Sequence, residues 1–270
     1  MTGHSLFDIH GIYGEEIMIV ENGEFIMTAL EYDDPNCIHS ARELIDYVNK
    51  VGFLPLFGNE IPGFSVEEHT WYMGWWSGNV EDDPWMWREE IAKSRKVAYG
   101  KFFDKKAGFI SLEWLPYFAN YRRDGYDFDA LYEDGYADRR SKKIMDIFVK
   151  NEEEIEDEDE MWKDDLILST ELKKIAGFGK GGEKNFPGIL TDLQMKIYLV
   201  MIDFRRRINK KGEEYGMPVS VLLPPEVVWG YKLMSSAYKE KPEVSGERIR
   251  KHILKLYPDA DEKILKKMVR

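Results

Sequence analysis

Two groups of side chains in the first half of the chain, and one in the second, have chemistry within reach. His69 follows directly on Glu67 and Glu68. An imidazole beside a carboxylate can pass a proton near neutral pH, which is the basis of general acid–base catalysis. The same residues can equally be surface or helix-cap chemistry. Six tryptophans fall between Trp71 and Trp114. An exposed indole can stack on an unpaired base, each such stack being worth about 1–3 kcal/mol, and a protein that extrudes a base needs such a surface. Trp71 and Trp75 are the candidates for that role; the alternative is a place in the core, where large aromatics carry much of the packing energy. In the second half the resource is charge. Residues 169–211 hold ten Lys and Arg against four Asp and Glu, in a chain of net charge −12. A local basic patch on an acidic protein suits contact with phosphates, although solvation of a loop and a helix face would use the same residues.

Those charges need elements to place them, and Ser169 to Leu223 supplies a recognisable order. Ser169 is a suitable helix N-cap before Leu172, Ile175 and Ala176 at helical spacing. The helix stops in Gly177-Phe178-Gly179-Lys180-Gly181-Gly182. Asn185 can cap a second helix with Pro187 in its first turn, and Phe186, Ile189, Leu190, Leu193 and Ile197 share one face of it. That face turned inward leaves Thr191 and Gln194 outside, with Tyr198 joining them if the helix runs that far. Ile197 to Ile202 suits a buried strand, Asn209-Lys210-Lys211-Gly212 a turn, and Val219 to Leu223 a second strand. Helix, glycine loop, helix and two-stranded ribbon with a basic tip is the winged helix-turn-helix order. Lys180, Lys184, Arg205, Arg206, Arg207, Lys210 and Lys211 would supply charge to phosphates, and Thr191 and Gln194 hydrogen bonds to base edges or phosphates. On a strand Arg205 and Arg207 face one way and Arg206 the other.

The rest of the chain reads as mainly α with small β ribbons, an α+β protein. Residues 1–37 form an N-terminal appendage in which Glu16–Val20 and Glu24–Ala29 pair as a hairpin across Asn22-Gly23. Residues 38–136 make a helical, aromatic-rich domain. Ser40 with Glu43, and Ser65 with Glu68, are capping boxes; the second would start a helix carrying Trp71, Tyr72, Trp75 and Trp76. Adjacent Trp75 and Trp76 would then point in different directions. Val97–Phe103 and Gly108–Ile110 can pair across Asp104-Lys105-Lys106-Ala107, and Ser111–Arg123 reads as a helix disturbed at Pro116. Residues 137–223 form the winged-helix domain, opened by Arg139-Arg140-Ser141-Lys142-Lys143 and interrupted at 151–165 by ten acids and one lysine. That insertion reads as a solvated segment; a metal site and an internal DNA mimic competing for the basic patch are its alternatives. Residues 224–270 are helical, with Ile249, Ile253 and Leu256 on one side and Asp259 with Glu262 capping the last helix.

Several function classes find no support. There is no G-x-S-x-G, no H-E-x-x-H, no Cys/His cluster and no G-K-[ST] in the glycine loop. Cys37 is the single cysteine, so an intrachain disulfide or a multi-cysteine zinc site is excluded. Neither a metal nor a cofactor is expected. No apolar run reaches the length of a membrane span and the start Met1-Thr2-Gly3-His4 has no signal-peptide pattern, which points to a cytoplasmic protein.

The order of N-terminal helices, aromatic-rich middle and central winged helix resembles the AlkZ-like (YcaQ-like) winged-helix DNA glycosylases of bacteria. The resemblance spans residues 38 to 270 and is carried by Val51-Gly52-Phe53-Leu54, Ser65-Val66-Glu67-Glu68-His69 and Leu168-Ser169-Thr170-Glu171-Leu172 through the wing. It implies tandem winged-helix units, double-stranded DNA as partner, and release of alkylated bases without a metal. The family's catalytic signature, Gln-x-Gln or Gln-x-Asp after a Leu-Gly-aromatic turn, falls here on Pro55-Leu56-Phe57. No carboxylate or amide stands there, and the nearest substitute is Glu60, which with His69 makes the candidate catalytic pair. The expectation is a DNA-binding, repair-related protein for damaged or distorted DNA, its base-excision chemistry lost or rebuilt. A winged-helix transcriptional regulator and a protein-interaction module are the alternatives.

Overall fold

Strand-forming sequence is scattered along this chain, and the fold gathers most of it into one sheet. The computed structural model describes residues 19–21, 24–152 and 166–270. A first ribbon pairs β1 (Ile19–Glu21) antiparallel with β2 (Glu24–Ile26); the expected Asn22-Gly23 turn lies outside the described residues. After α1 (Ala41–Val51) come β3 (Phe53–Pro55), α2 (Pro84–Ser94), β4 (Val97–Phe103), β5 (Lys106–Ser111), α3 (Leu115–Arg123), α4 (Phe128–Glu133) and α5 (Arg139–Glu152). Then follow α6 (Ser169–Ile175), α7 (Phe186–Met195), β6 (Val200–Ile208), β7 (Glu214–Leu223), α8 (Pro225–Trp229), α9 (Tyr231–Met234), α10 (Pro242–Leu256) and α11 (Glu262–Val269). The class is α+β. The two ribbons expected at 97–110 and 197–223 are not separate: they share a five-stranded antiparallel sheet in the order β3-β5-β4-β6-β7. The join is the pairing of Tyr99 on β4 with Met201 on β6.

Two cores flank this sheet. The larger runs from Leu44 and Val48 through Phe53, Phe103, Phe109 and Phe118 to Ile249, Ile253 and Leu265. Phe53 sits at its centre, edge-on to Phe64, Trp114 and Phe118. Each such side chain taken fully out of water contributes about 1.5–3 kcal/mol, so the amphipathic faces of α1 and α10 find their partner here. The smaller core packs α4, α5, α6 and α7 around Phe128, Ile144, Phe148, Leu172, Phe186 and Leu193 against Tyr198, Leu199 and Leu222.

Local chemistry sets the element ends. Ser40 accepts from the Glu43 amide and caps α1 as expected. The Ser65–Glu68 box also forms, with the Ser65 hydroxyl donating to Glu68 Oε2 at 2.6 Å, but no α-helix follows it. Glu67–His69 and Tyr72–Gly74 are single 3-10 turns. Leu30 donates to the Thr70 carbonyl and Ile38 to that of His69, so this segment is held extended by the strand-like residues before α1. Tertiary backbone pairing overrides the helical spacing of the aromatics. In α6 Ser169 is inside the helix rather than its cap; the Glu171 carboxylate reaches back to the Leu168 amide, and Ile175 is exposed. Asn185 adopts the left-handed conformation and makes no capping bond to α7. Asp261, not Asp259, caps α11 by accepting from Lys263 and Ile264. Among the described residues no helix is long and apolar enough to cross a membrane. Residues 153–165, most of the acidic insertion, lie outside the described residues.

Candidate nucleic-acid interface

The winged-helix order is present in three dimensions. From α5 the chain passes Leu168, which bridges antiparallel to Val221 on β7, then α6, the glycine loop, α7 and the β6–β7 hairpin. The loop turns because Gly177 and Gly181 take φ of 77° and 80°, a region costly for residues with a Cβ. Phe178 anchors it by packing edge-on against Phe186 at 5.1 Å. Glu183 closes it underneath, accepting from Lys143 and paired with Arg139, both at 2.7 Å. Those two cations hold its carboxyl below the usual range.

The cations that open α5, Arg139, Arg140, Lys142 and Lys143, are therefore absorbed by the protein itself. Arg140 is paired with Asp138, which it pulls down to about 2, and Lys142 is paired with Asp129 and Asp146. What remains exposed on the loop and hairpin is Lys180, Lys184, Arg206, Lys210 and Lys211; among the described residues none of the five forms an ion pair. Arg205 and Arg207 leave the ribbon on one side and are partly spent there. Arg205 is paired with Asp203 at 2.8 Å, and Arg207 lies over the Tyr215 ring at 4.9 Å. Gly216 makes room for it: φ is 74°, and a Cβ would stand 2.8 Å from the Arg207 guanidinium. That glycine also sits where the register shifts, Arg205 facing Val219 but Arg207 facing Tyr215, so β7 carries a bulge that bends the hairpin.

The outer face of α7 differs from expectation. Thr191 is half-exposed and Asp192 exposed, but Gln194 is only 1% exposed. Its Oε1 accepts from the Lys101 amide and its Nε2 donates to the Leu190 carbonyl, both at 3.1 Å. Gln194 is therefore a bolt between α7 and β4, not a reader of bases. Tyr198 lies past the end of α7 and is buried, its hydroxyl donating to the Tyr126 carbonyl. The inward stripe was readable from spacing, whereas the second partner of α7, a strand more than ninety residues away in sequence, was not. Replacing Gln194 by Leu strands the Lys101 N–H and is expected to cost about 1–3 kcal/mol of stability, measured by urea unfolding. A change under about half a kcal/mol would return Gln194 to the surface chemistry.

The aromatic candidates divide. Trp75 is 5% exposed, with its indole N–H donating to Thr70 Oγ1 at 2.9 Å, so it is core and cannot stack on a base. Trp71 is half-buried, edge-on to Tyr32. Their neighbour Trp76 is the exposed one, at 46%.

The acid–base candidates are not brought together. Glu60 is exposed and 3.9 Å from Lys267 on α11. His69 Nε2 stands 3.0 Å from both the Tyr47 hydroxyl and the Gly63 carbonyl. Among the described residues no hydrogen bond or ion pair joins Glu60 to His69. Glu67, which the sequence sets beside His69 as part of the acid–base group, has a structural place instead. It is buried, its Oε1 accepting from the Thr28 amide at 3.0 Å and Oε2 from Gly58 at 2.9 Å. Burial pushes its carboxyl above the usual range, against the pull of those two amides. Both oxygens being taken, Glu67 ties the end of β3 to the segment before α1. The Pro55-Leu56-Phe57 stretch beside it is apolar, its first two residues buried and Phe57 half-buried. Among the described residues no three His, Cys, Asp or Glu side chains converge to hold a metal ion.

No curated protein and no solved structure matches the chain. A model of the AlkZ-related family matches residues 38–270, a span that takes in the whole sheet, both cores and the winged helix, and the chain belongs to that family.

Proposed function

We propose that the protein is a cytoplasmic DNA-binding member of this repair-related family that engages damaged or distorted double-stranded DNA without releasing alkylated bases. The observation that carries the DNA-binding part is the charge pattern. Arg139, Arg140, Lys142 and Lys143 at the start of α5 are paired internally, while Lys180, Lys184, Arg206, Lys210 and Lys211 stand exposed on the glycine loop and hairpin of a winged helix. Phosphate contacts of this kind give affinity and orientation, not sequence preference. Against base release speaks the apolar stretch at Pro55-Leu56-Phe57, together with the separate engagements of Glu60, Glu67 and His69. A buried carboxylate that accepts from a backbone amide through each oxygen is committed first to holding the fold together.

The test pairs two measurements on one preparation. Affinity for a duplex should fall steeply with added salt and be higher when the duplex is distorted. Single-turnover incubation with DNA carrying N7- or N3-alkylpurines should release no more base than DNA alone. Robust release that disappears in Glu60→Gln would overturn the second half of the reading, and salt-independent or absent duplex binding the first.

A further inference from the structure

Asp83 is 1% exposed and caps α2, yet it does more than a cap requires. Its Oδ1 accepts from the amides of Trp85 at 2.9 Å and Trp76 at 3.0 Å, and its Oδ2 from Gly78 at 3.1 Å. This clamp holds Trp76 at φ 56°, a left-handed conformation unfavourable for so bulky a residue. Phe57 lies 6.4 Å away and tilted by 21°; Trp85 lies 6.2 Å from Phe57, tilted by 29°. The Arg88 guanidinium stands 3.9 Å over the Trp85 ring and 4.4 Å over Phe204 on β6. Arg88 is itself buried, its Nη2 donating to Glu89 at 3.1 Å and its Nε without a hydrogen-bond partner, so stacking and that one bond fix its plane. Trp76, Phe57, Trp85, Arg88 and Phe204 thus make a row of stacked planar groups, buried at Arg88, half-buried at Phe57, Trp85 and Phe204, and exposed at Trp76.

We propose that Trp76 is the surface on which this protein stacks an unpaired nucleobase, an assignment that rests on the DNA-binding reading above. A stacking surface works best when its rings are ordered beforehand, because no side-chain freedom is lost on binding. Every base offers a π face to it, whatever the sequence. The charges at its edge select the base over the backbone: Glu81 and Asp82 are exposed in the same loop and repel phosphates. Phosphates have their own cations elsewhere, since β6, which carries Phe204 at the far end of the row, runs on through Arg206 towards Lys210 and Lys211. One strand therefore connects the stacking row to the basic hairpin tip.

Trp76→Gly tests this without threatening the fold, because glycine suits φ 56° and keeps the amide that Asp83 accepts. The probes are one duplex and the same duplex carrying a single unpaired 2-aminopurine, read by affinity and by quenching of the base's fluorescence. The wild-type chain should prefer the unpaired base by on the order of tenfold and quench it. Trp76→Gly should lose the preference and the quenching while binding the intact duplex within about twofold of wild type. A folded Trp76→Gly that keeps the preference overturns the proposal and leaves the DNA-binding reading standing. Wild-type chain that binds neither duplex overturns both. Equal weakening on both duplexes also overturns the proposal, because Trp76 would then touch DNA of any form.

Discussion

Replacing Arg123 by leucine is expected to remove about 3–5 kcal/mol of folding stability, the cost of breaking a buried charge pair from one side. Arg123 is 2% exposed at the end of α3. Its guanidinium donates to the Ile197 carbonyl, to Glu226 on α8, to the Tyr238 hydroxyl at 3.2 Å and to the Lys196 carbonyl at 3.4 Å, and lies over the Tyr198 ring. Burial opposes its charge, but Glu226 and Tyr238 outweigh that and hold it above its ordinary pKa. The carbonyls it takes are those of the turn between α7 and β6, where Ile197 is held at φ 59°. Beside it Arg122 donates to the Met195, Met268 and Val269 carbonyls, at the C-terminal ends of α7 and α11, where a cation also suits the helix dipole. The two arginines so hold the first core, the winged helix and the C-terminal helices in register. Arg123→Lys should recover only part of the stability, because one ammonium cannot reach Glu226 and Ile197 together. Urea unfolding of both variants measures it. A change below about 1 kcal/mol for leucine would mean that the junction is held by apolar packing and that its hydrogen bonds exchange freely for water.

Much of the second half could be read in advance because its signals are local. The glycine loop, the inward stripe Phe186, Ile189, Leu190 and Leu193, and the polar turn at Asn209–Gly212 each announce themselves within a few residues. Capping pairs and the hairpin 97–110 are of the same kind. What escaped depends on partners distant in the chain. Nothing near Gln194 says that an amide on β4 needs it, and nothing near Arg123 says that a strained turn seventy-four residues on will come to it. The tryptophans misled for the same reason. Helical spacing from Trp71 to Trp76 is sound as a local pattern, but Leu30 and Ile38 hold Thr70 and Trp71 extended, and it is Trp75 that is buried and Trp76 that is exposed. The apolar place at Pro55-Leu56-Phe57 is plain in the sequence. That Glu67 ties off the end of that strand is not, since its two amide partners come from widely separated positions, Thr28 and Gly58.

Exchanging Lys210 and Lys211 together for alanine should weaken binding to every duplex alike and make the dependence of log affinity on log salt shallower by about 2, one unit for each phosphate no longer neutralised. At about 0.1 M salt this corresponds to a drop on the order of ten- to a hundredfold. The turn should survive the change, because its backbone is organised by Asn209: its Oδ1 accepts from the Lys211 amide at 2.8 Å and from Glu213 at 3.1 Å, while Gly212 takes φ 82°. Neither lysine side chain enters that arrangement. Both are exposed, and among the described residues neither is paired with an acid. Arg205→Ala should do much less, since Asp203 already neutralises that guanidinium, and Arg207 is engaged by Tyr215. The expected order of effect is therefore the tip lysines first and the strand arginines after them, the reverse of what guanidinium chemistry alone would suggest. Affinity for several unrelated duplexes across a salt series decides it, with circular dichroism confirming the fold of each variant. If the folded double variant binds with unchanged affinity and slope, the hairpin tip does not meet phosphate. The exposed lysines would then serve an acidic protein partner, and the winged helix would be a docking module carried by a repair-family scaffold.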